Sequence, residues 1–149
     1  ITIWGVRDPI LIKEIDYVLE KTRELVKDQF KRYLTDDDYK LNFYLYGKNA
    51  VMGEREIVKE TKSHELGIVA EGIGKTQGIA RDISYYAYGA FQHLDYPGIL
   101  CTGANVAIPF SPPDIDMGAA YEFNIYHLMP ADPVELFKPV IKTFGRGEK

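Results

Sequence analysis

The order of periodic segments predicts an α+β domain of the ferredoxin-like, split βαβ kind (βαββαβ), with an antiparallel sheet and two helices on one face. Three observations carry this expectation. Two stretches with apolar residues at helical spacing are each opened by a capping residue, and two alternating stretches lie between them. A further alternating stretch completes the order strand, helix, strand, strand, helix, strand. A long Pro- and Gly-rich loop precedes that last strand.

Residues 1–6 hold Ile1, Ile3, Trp4 and Val6, which favour a strand. Asp8-Pro9 follows, a capping residue with proline at the first helical position. From there Ile12, Ile15, Leu19, Thr22, Val26 and Phe30 repeat at helical spacing, and Lys13, Glu20, Glu24, Lys27 and Lys31 take the opposite face. One long helix ending near Tyr33 is expected, its dipole complemented by Lys27, Lys31 and Arg32. After the polar break Thr35-Asp36-Asp37-Asp38, Leu41, Phe43 and Leu45 alternate with Asn42, Tyr44 and Tyr46 as a half-buried strand. Residues 47–63 read as a loop with a short extended piece at 56–58. Leu66, Ile68 and Ala70 share one parity of a strand over 64–73. Thr76 caps a second helix to Leu94, in which Gly78 and Gly89 cost helix propensity and suggest close packing. Past the loop at 98–117, Tyr121, Phe123, Ile125 and His127 alternate with Glu122, Asn124 and Tyr126 as the last strand, over 120–129. Asp132-Pro133 opens a short helix at 134–137.

Composition bounds the function. The 149 residues are 46% hydrophobic and 27% charged, and 18 Lys+Arg against 22 Asp+Glu leave a net charge of −4. A single domain over 1–149 is expected, burying roughly 68–70% of its unfolded surface. The balance argues against nucleic acid as a partner. Residues 96–113 carry no charge, but Pro97, Pro109, Pro112 and Pro113 make them a loop and not a membrane span. With Cys101 as the lone cysteine and no signal-peptide pattern, a cytoplasmic protein is expected. The sequence opens at Ile1, inside an apolar run, and is expected to be a piece of something larger.

Several constellations could carry chemistry. Gly74-Lys75-Thr76 follows a strand and opens a helix, but Val69 stands where a phosphate-binding loop needs its first glycine, so a tight turn is the better reading. His64, His93 and His127 show no metal-ligand spacing, and no metal site is expected. His64-Glu65, at a strand start, offers an acid–base pair, with a solvated histidine as the plain alternative. His127 reads as a core or interface residue, His93 as a helix-end partner, and Cys101 as a buried thiol. Asp8 is explained as a cap, while Arg7 could bind an anion. Tyr85, Tyr86 and Tyr88 spread aromatics around the second helix and suggest an oligomer interface. The loop at 98–117 is stiff enough to aim Asn105 at a substrate oxygen, or equally to form a packed arm.

The succession GVRDP at 5–9, YGKNAVMGE at 46–54, HELGIV at 64–69, HLDYPG at 93–98, GANVAIPFSPPDI at 103–115 and YEFNIYHL at 121–128 resembles the C-terminal part of the acyclic terpene utilisation (AtuA) family, over nearly the whole chain. It departs at Lys48, where an arginine-type residue is expected. The resemblance implies a place in the catabolism of acyclic terpenoids through CoA-linked acids, and a nucleotide-binding-like N-terminal portion as domain or partner subunit. It implies neither a reaction nor a cofactor. Two readings follow. In the first, the chain belongs to a catabolic enzyme acting on small acyl or terpenoid acids: Arg7 and Tyr46 bind the acid, His64 and Glu65 handle protons, and Asn105 and Ser111 orient a polar group. In the second, it is a non-catalytic module for assembly or ligand binding, forming a homo-oligomer.

Overall fold

The computed structural model describes residues 1–101, 105–128 and 139–145. Its elements are β1 (Thr2–Val6), α1 (Pro9–Lys13), α2 (Ile15–Phe30), β2 (Tyr39–Tyr46), a 3₁₀ turn at Gly53–Arg55, β3 (Leu66–Gly74) and α3 (Gln77–His93). The three strands form one open antiparallel sheet in the order β1-β3-β2.

Register explains the core. Trp4 pairs with Ile68, which pairs with Leu45, and Thr2 pairs with Ala70, which pairs with Phe43. Side chains directly opposite share a face, so these residues point to the same side. There they meet Leu11, Ile15, Val18 and Leu19 of the first two helices and Phe91 of α3. Trp4 is edge-on to Phe43 and Tyr88, at 6.4 and 5.6 Å between ring centres. A second cluster, Val26, Ile83 and Ala87, joins α2 to α3, and Leu41 and Phe43 pack against both clusters.

The expected caps form. Asp8 accepts from the Ile10 amide at 2.8 Å, and Thr76 Oγ1 accepts from the Ile79 amide at 3.3 Å. The single long helix is in fact two. Glu14, at φ −93° and ψ 11°, breaks the helical geometry between α1 and α2, although the Val18 amide still reaches the Glu14 carbonyl at 3.0 Å. The piece at 56–58 is not a strand.

The predicted fourth strand does not form over 120–128: these residues are irregular and exposed. Alternation makes a strand only where a neighbouring edge supplies hydrogen bonds, and residues 105–115 occupy the edge of β1. Gly5 and Ala107 exchange both backbone bonds, at 2.7 and 2.8 Å, and Ile3 donates to the Pro113 carbonyl at 3.2 Å. The intervening residues 108–112 bulge outward, because four residues of β1, from Gly5 to Thr2, are matched by eight from Ala107 to Asp114. The short helix expected at 134–137 lies outside the described residues.

Two side-chain expectations are corrected. Cys101 is exposed and not a buried thiol, and His127 is exposed and so not a core residue. Of the three helix tyrosines, Tyr86 packs on Phe30 and Tyr88 on Trp4, leaving Tyr85 on the surface. Among the described residues, no helix is long and apolar enough to cross a membrane.

Candidate functional site

Most of the candidate residues meet at one end of the sheet, where β1 ends and β3 begins. Arg7, the first residue after β1, turns across the start of β3. Its Nη1 donates to the His64 carbonyl at 2.7 Å, and its Nε lies 3.5 Å from Glu65 Oε1. Both side chains are about two-thirds exposed (66% and 67%), so the ion pair adds little stability. A guanidinium has five N–H donors, and these contacts use only two. Arg7, Glu65 and Asn105 line one cleft of about 450 Å³. Tyr46 stands at the same end, opposite Gly67 and exposed. Ser111 does not join them: it lies in the 108–112 bulge, beside Pro112, which faces Arg81 and Tyr85 of α3.

Asn105 is held by the fold. Its Nδ2 donates to Tyr96 Oη at 2.7 Å and to the Cys101 carbonyl at 2.9 Å. Tyr96 in turn donates to Asp8 Oδ2 at 2.7 Å, and Asp8 Oδ1 caps α1. This chain of polar groups pins the loop after α3 to the start of α1. Burial first, then the bond to Asp8, pushes the Tyr96 phenol well above its usual range. The amide hydrogens of Asn105 are therefore committed, and its Oδ1 is the group left to face a ligand.

His64 lines an adjoining cleft of about 480 Å³ together with Arg7, Lys13, Lys48 and Lys59. Asp16 and Glu60 also border it, so four cations stand against two carboxylates in a chain of net charge −4. Lys48 is mostly covered and ion-paired with Asp16. Sequence reasoning missed Lys13, Lys48 and Lys59, which are 11 or more positions apart and joined by no motif of charge. Only the fold gathers them, because the turn after β2 brings Lys48 over α2. That turn requires Gly47, at φ +95°, where a Cβ would also stand 3.0 Å from the Glu65 carbonyl.

A larger cleft, about 650 Å³, opens at the far end of β3. Its cations are already paired, Arg81 with Asp114 at 2.7 Å and Lys75 with Asp38 at 2.6 Å, and Gln77 donates to Asp116 at 3.1 Å. Glu71 accepts from Asn42 and Tyr44 at 2.9 and 2.8 Å. The glycines before α3 serve packing there, since a Cβ on Gly72 would come within 2.3 Å of the Ala80 carbonyl. The turn thus does what the sequence suggested, and Lys75 has a structural partner. Among the described residues, no group of three or more His, Cys, Asp or Glu side chains could hold a metal ion.

No family model, no curated protein and no solved structure matches the chain.

Proposed function

We propose that this chain is the acid-binding domain of an AtuA-like catabolic protein handling small acyl or terpenoid acids, its own groups completed by an N-terminal domain or partner subunit. The observation that carries the reading is the basic cleft: Arg7, Lys13, Lys48, Lys59 and His64 face one space in an acidic chain. Such a corner focuses a positive potential on an anion. In this reading Arg7 binds the acid group with spare guanidinium donors, Tyr46 borders the acyl part, and His64 with Glu65 moves a proton at its rim. Asn105 orients a polar group through Oδ1, while Ser111, at the other end of β1, would serve only a ligand reaching that far. The β1-β3-β2 order with the three helices packed on one face supports a ferredoxin-like arrangement in which residues 105–115 take the edge of the fourth strand. The lone cysteine fits a cytoplasmic setting.

Titration with isovalerate, followed by calorimetry and by the His64 ring resonances, tests this reading. Saturable binding is expected, weakened about tenfold by Arg7→Ala and by Lys59→Ala, or ~1.4 kcal/mol each. No saturable binding, or binding indifferent to both substitutions, removes it.

The second reading, an assembly module, is favoured by one observation of its own: the bare apolar side chains of residues 120–128.

A further inference from the structure

The described chain leaves two features unpartnered that fit one another. The first is the outer edge of β2. Because the sheet ends at β2, its eight residues, Tyr39–Tyr46, bond to β3 on one side only. Beyond the Leu45 carbonyl, which closes the turn to Lys48, Asn49 and Ala50, no described residue gives that edge a backbone partner. A groove of about 580 Å³ runs beside it, between β2 and α2, with Leu19, Phe43 and Leu45 in its wall and the Arg23 guanidinium 5.0 Å above the Phe43 ring. Bare strand edges of this length are templates for another strand.

The second feature is the segment 120–128. Tyr121, Phe123, Ile125, Tyr126 and Leu128 are each between 80% and 97% exposed. The described residues of one chain offer these side chains no surface, and soluble proteins rarely leave so many large apolar groups bare together.

We propose that residues 120–128 of one copy add as a strand to the β2 edge of a second copy, in a reciprocal exchange that makes a twofold dimer. Parity supports the match. In β2, Leu41, Phe43 and Leu45 face the helices and Lys40, Asn42 and Tyr44 face away. In the arm, Tyr121, Phe123 and Ile125 alternate with Glu122, Asn124 and Tyr126. An added strand keeps this alternation, so Phe123 and Ile125 enter the groove beside Leu19 and Arg23 while Glu122 and Asn124 run along the polar side. Charge permits the match, because that side carries Lys40, whose 3.4 Å ion pair with Glu122 of its own chain the exchange would replace with the same pair between copies. Area agrees as well. Aromatic side chains bury about 150–250 Å² each, so two exchanged arms reach the roughly 1,200–2,000 Å² of a stable interface. Twofold exchange uses the same two surfaces on both partners and leaves neither edge open.

Sedimentation of the whole chain, with two variants, tests the exchange independently of acid binding. A dimer is expected, and Phe123→Asp combined with Ile125→Asp should weaken it by at least about tenfold while leaving the far-ultraviolet circular dichroism unchanged. Two separate single-cysteine chains, Tyr44→Cys and Asn124→Cys, each in a Cys101→Ser background, are then mixed and oxidised. A disulfide between the two different chains is expected in excess over either self-pair. A monomeric native chain overturns the proposal, as does a dimer untouched by the arm substitutions. A dimer whose mixed disulfide fails to form overturns the placement on β2, pointing instead to another face or another domain as the arm's seat.

Discussion

Tyr96 shows how a residue to which the sequence assigns no role can organise the structure more than residues singled out for chemistry. Its hydroxyl joins Asn105 to Asp8, itself 88 positions before Tyr96, and the residue is 5% exposed. Tyr96→Phe keeps the packing and removes the hydroxyl, leaving an Asp8 oxygen and an Asn105 hydrogen short of a partner in a half-buried place. A loss of about 1–2 kcal/mol is expected, read as a lower urea midpoint with unchanged slope. The sequence reading of Asn105 as a ligand donor could not see this, because no local rule fixes the loop conformation that turns the amide back onto Tyr96 and Cys101, nine and four positions earlier. It did see Asp8, whose capping role depends only on the residues next to it. Asp38 gives a pH-dependent case. The Lys75 ammonium, and then the Thr35 hydroxyl and amide, hold its carboxyl well below the usual aspartate value of 3.8. A carboxyl with a depressed folded pKa adds stability above its unfolded value and loses that contribution as pH falls through the folded one. Asp38→Asn should therefore lower the urea midpoint at pH 7, and the gap from the native chain should close as both are titrated below about pH 4. A gap that persists in acid would place the effect in packing and not in charge.

The elements were legible where a local rule fixes them and illegible where a partner does. Both helix starts follow from capping residues, and β2 and β3 from alternation over a buried face. The 120–128 segment alternates just as well but forms no strand, since β1's edge is taken by 105–115 and no other edge among the described residues receives it. The two kinds of glycine in and before α3 separate the same way. Gly78 and Gly89 both looked like packing glycines. Yet a Cβ on Gly89 would meet nothing within 4 Å, while one on Gly72 would collide with the Ala80 carbonyl and also stand 3.1 Å from the Ser84 amide nitrogen. Gly89→Ala should then stabilise α3 by about 0.5–1 kcal/mol. Gly72→Ala must push α3 off the sheet, at a cost of about 1–3 kcal/mol. Thermal melts of the two variants should move in opposite directions. If both fall, Gly89 serves a contact that the fold does not reveal.

At the scale of the whole molecule, the candidate site shows why charge counting along a sequence has limited reach. A net charge of −4 is true of the chain and misleading about the corner where Arg7, Lys13, Lys48 and Lys59 gather. The core raises a similar question of sum and part. It has two clusters, one around Trp4 and one around Val26, Ile83 and Ala87, and they could unfold separately. Leu41 and Phe43 pack against both, however, and α2 and α3 each run through both, so loosening one cluster strips contacts from the other. Cooperative unfolding of both is the expected outcome. The chain supplies a convenient probe, since Trp4 is its single tryptophan, is 1% exposed, and sits wholly in the first cluster. Tryptophan emission follows that cluster alone, whereas helical circular dichroism follows α2 and α3 across both. In urea the two signals should fall together at one midpoint. Leu41→Ala, which removes a shared side chain, should shift both midpoints equally, by the amount expected for about 2–3 kcal/mol of lost burial and cavity at a half-buried site. Two separated midpoints, or a shift in one signal alone, would show that the clusters behave as independent folding units and that the bridge through β2 is too weak to couple them.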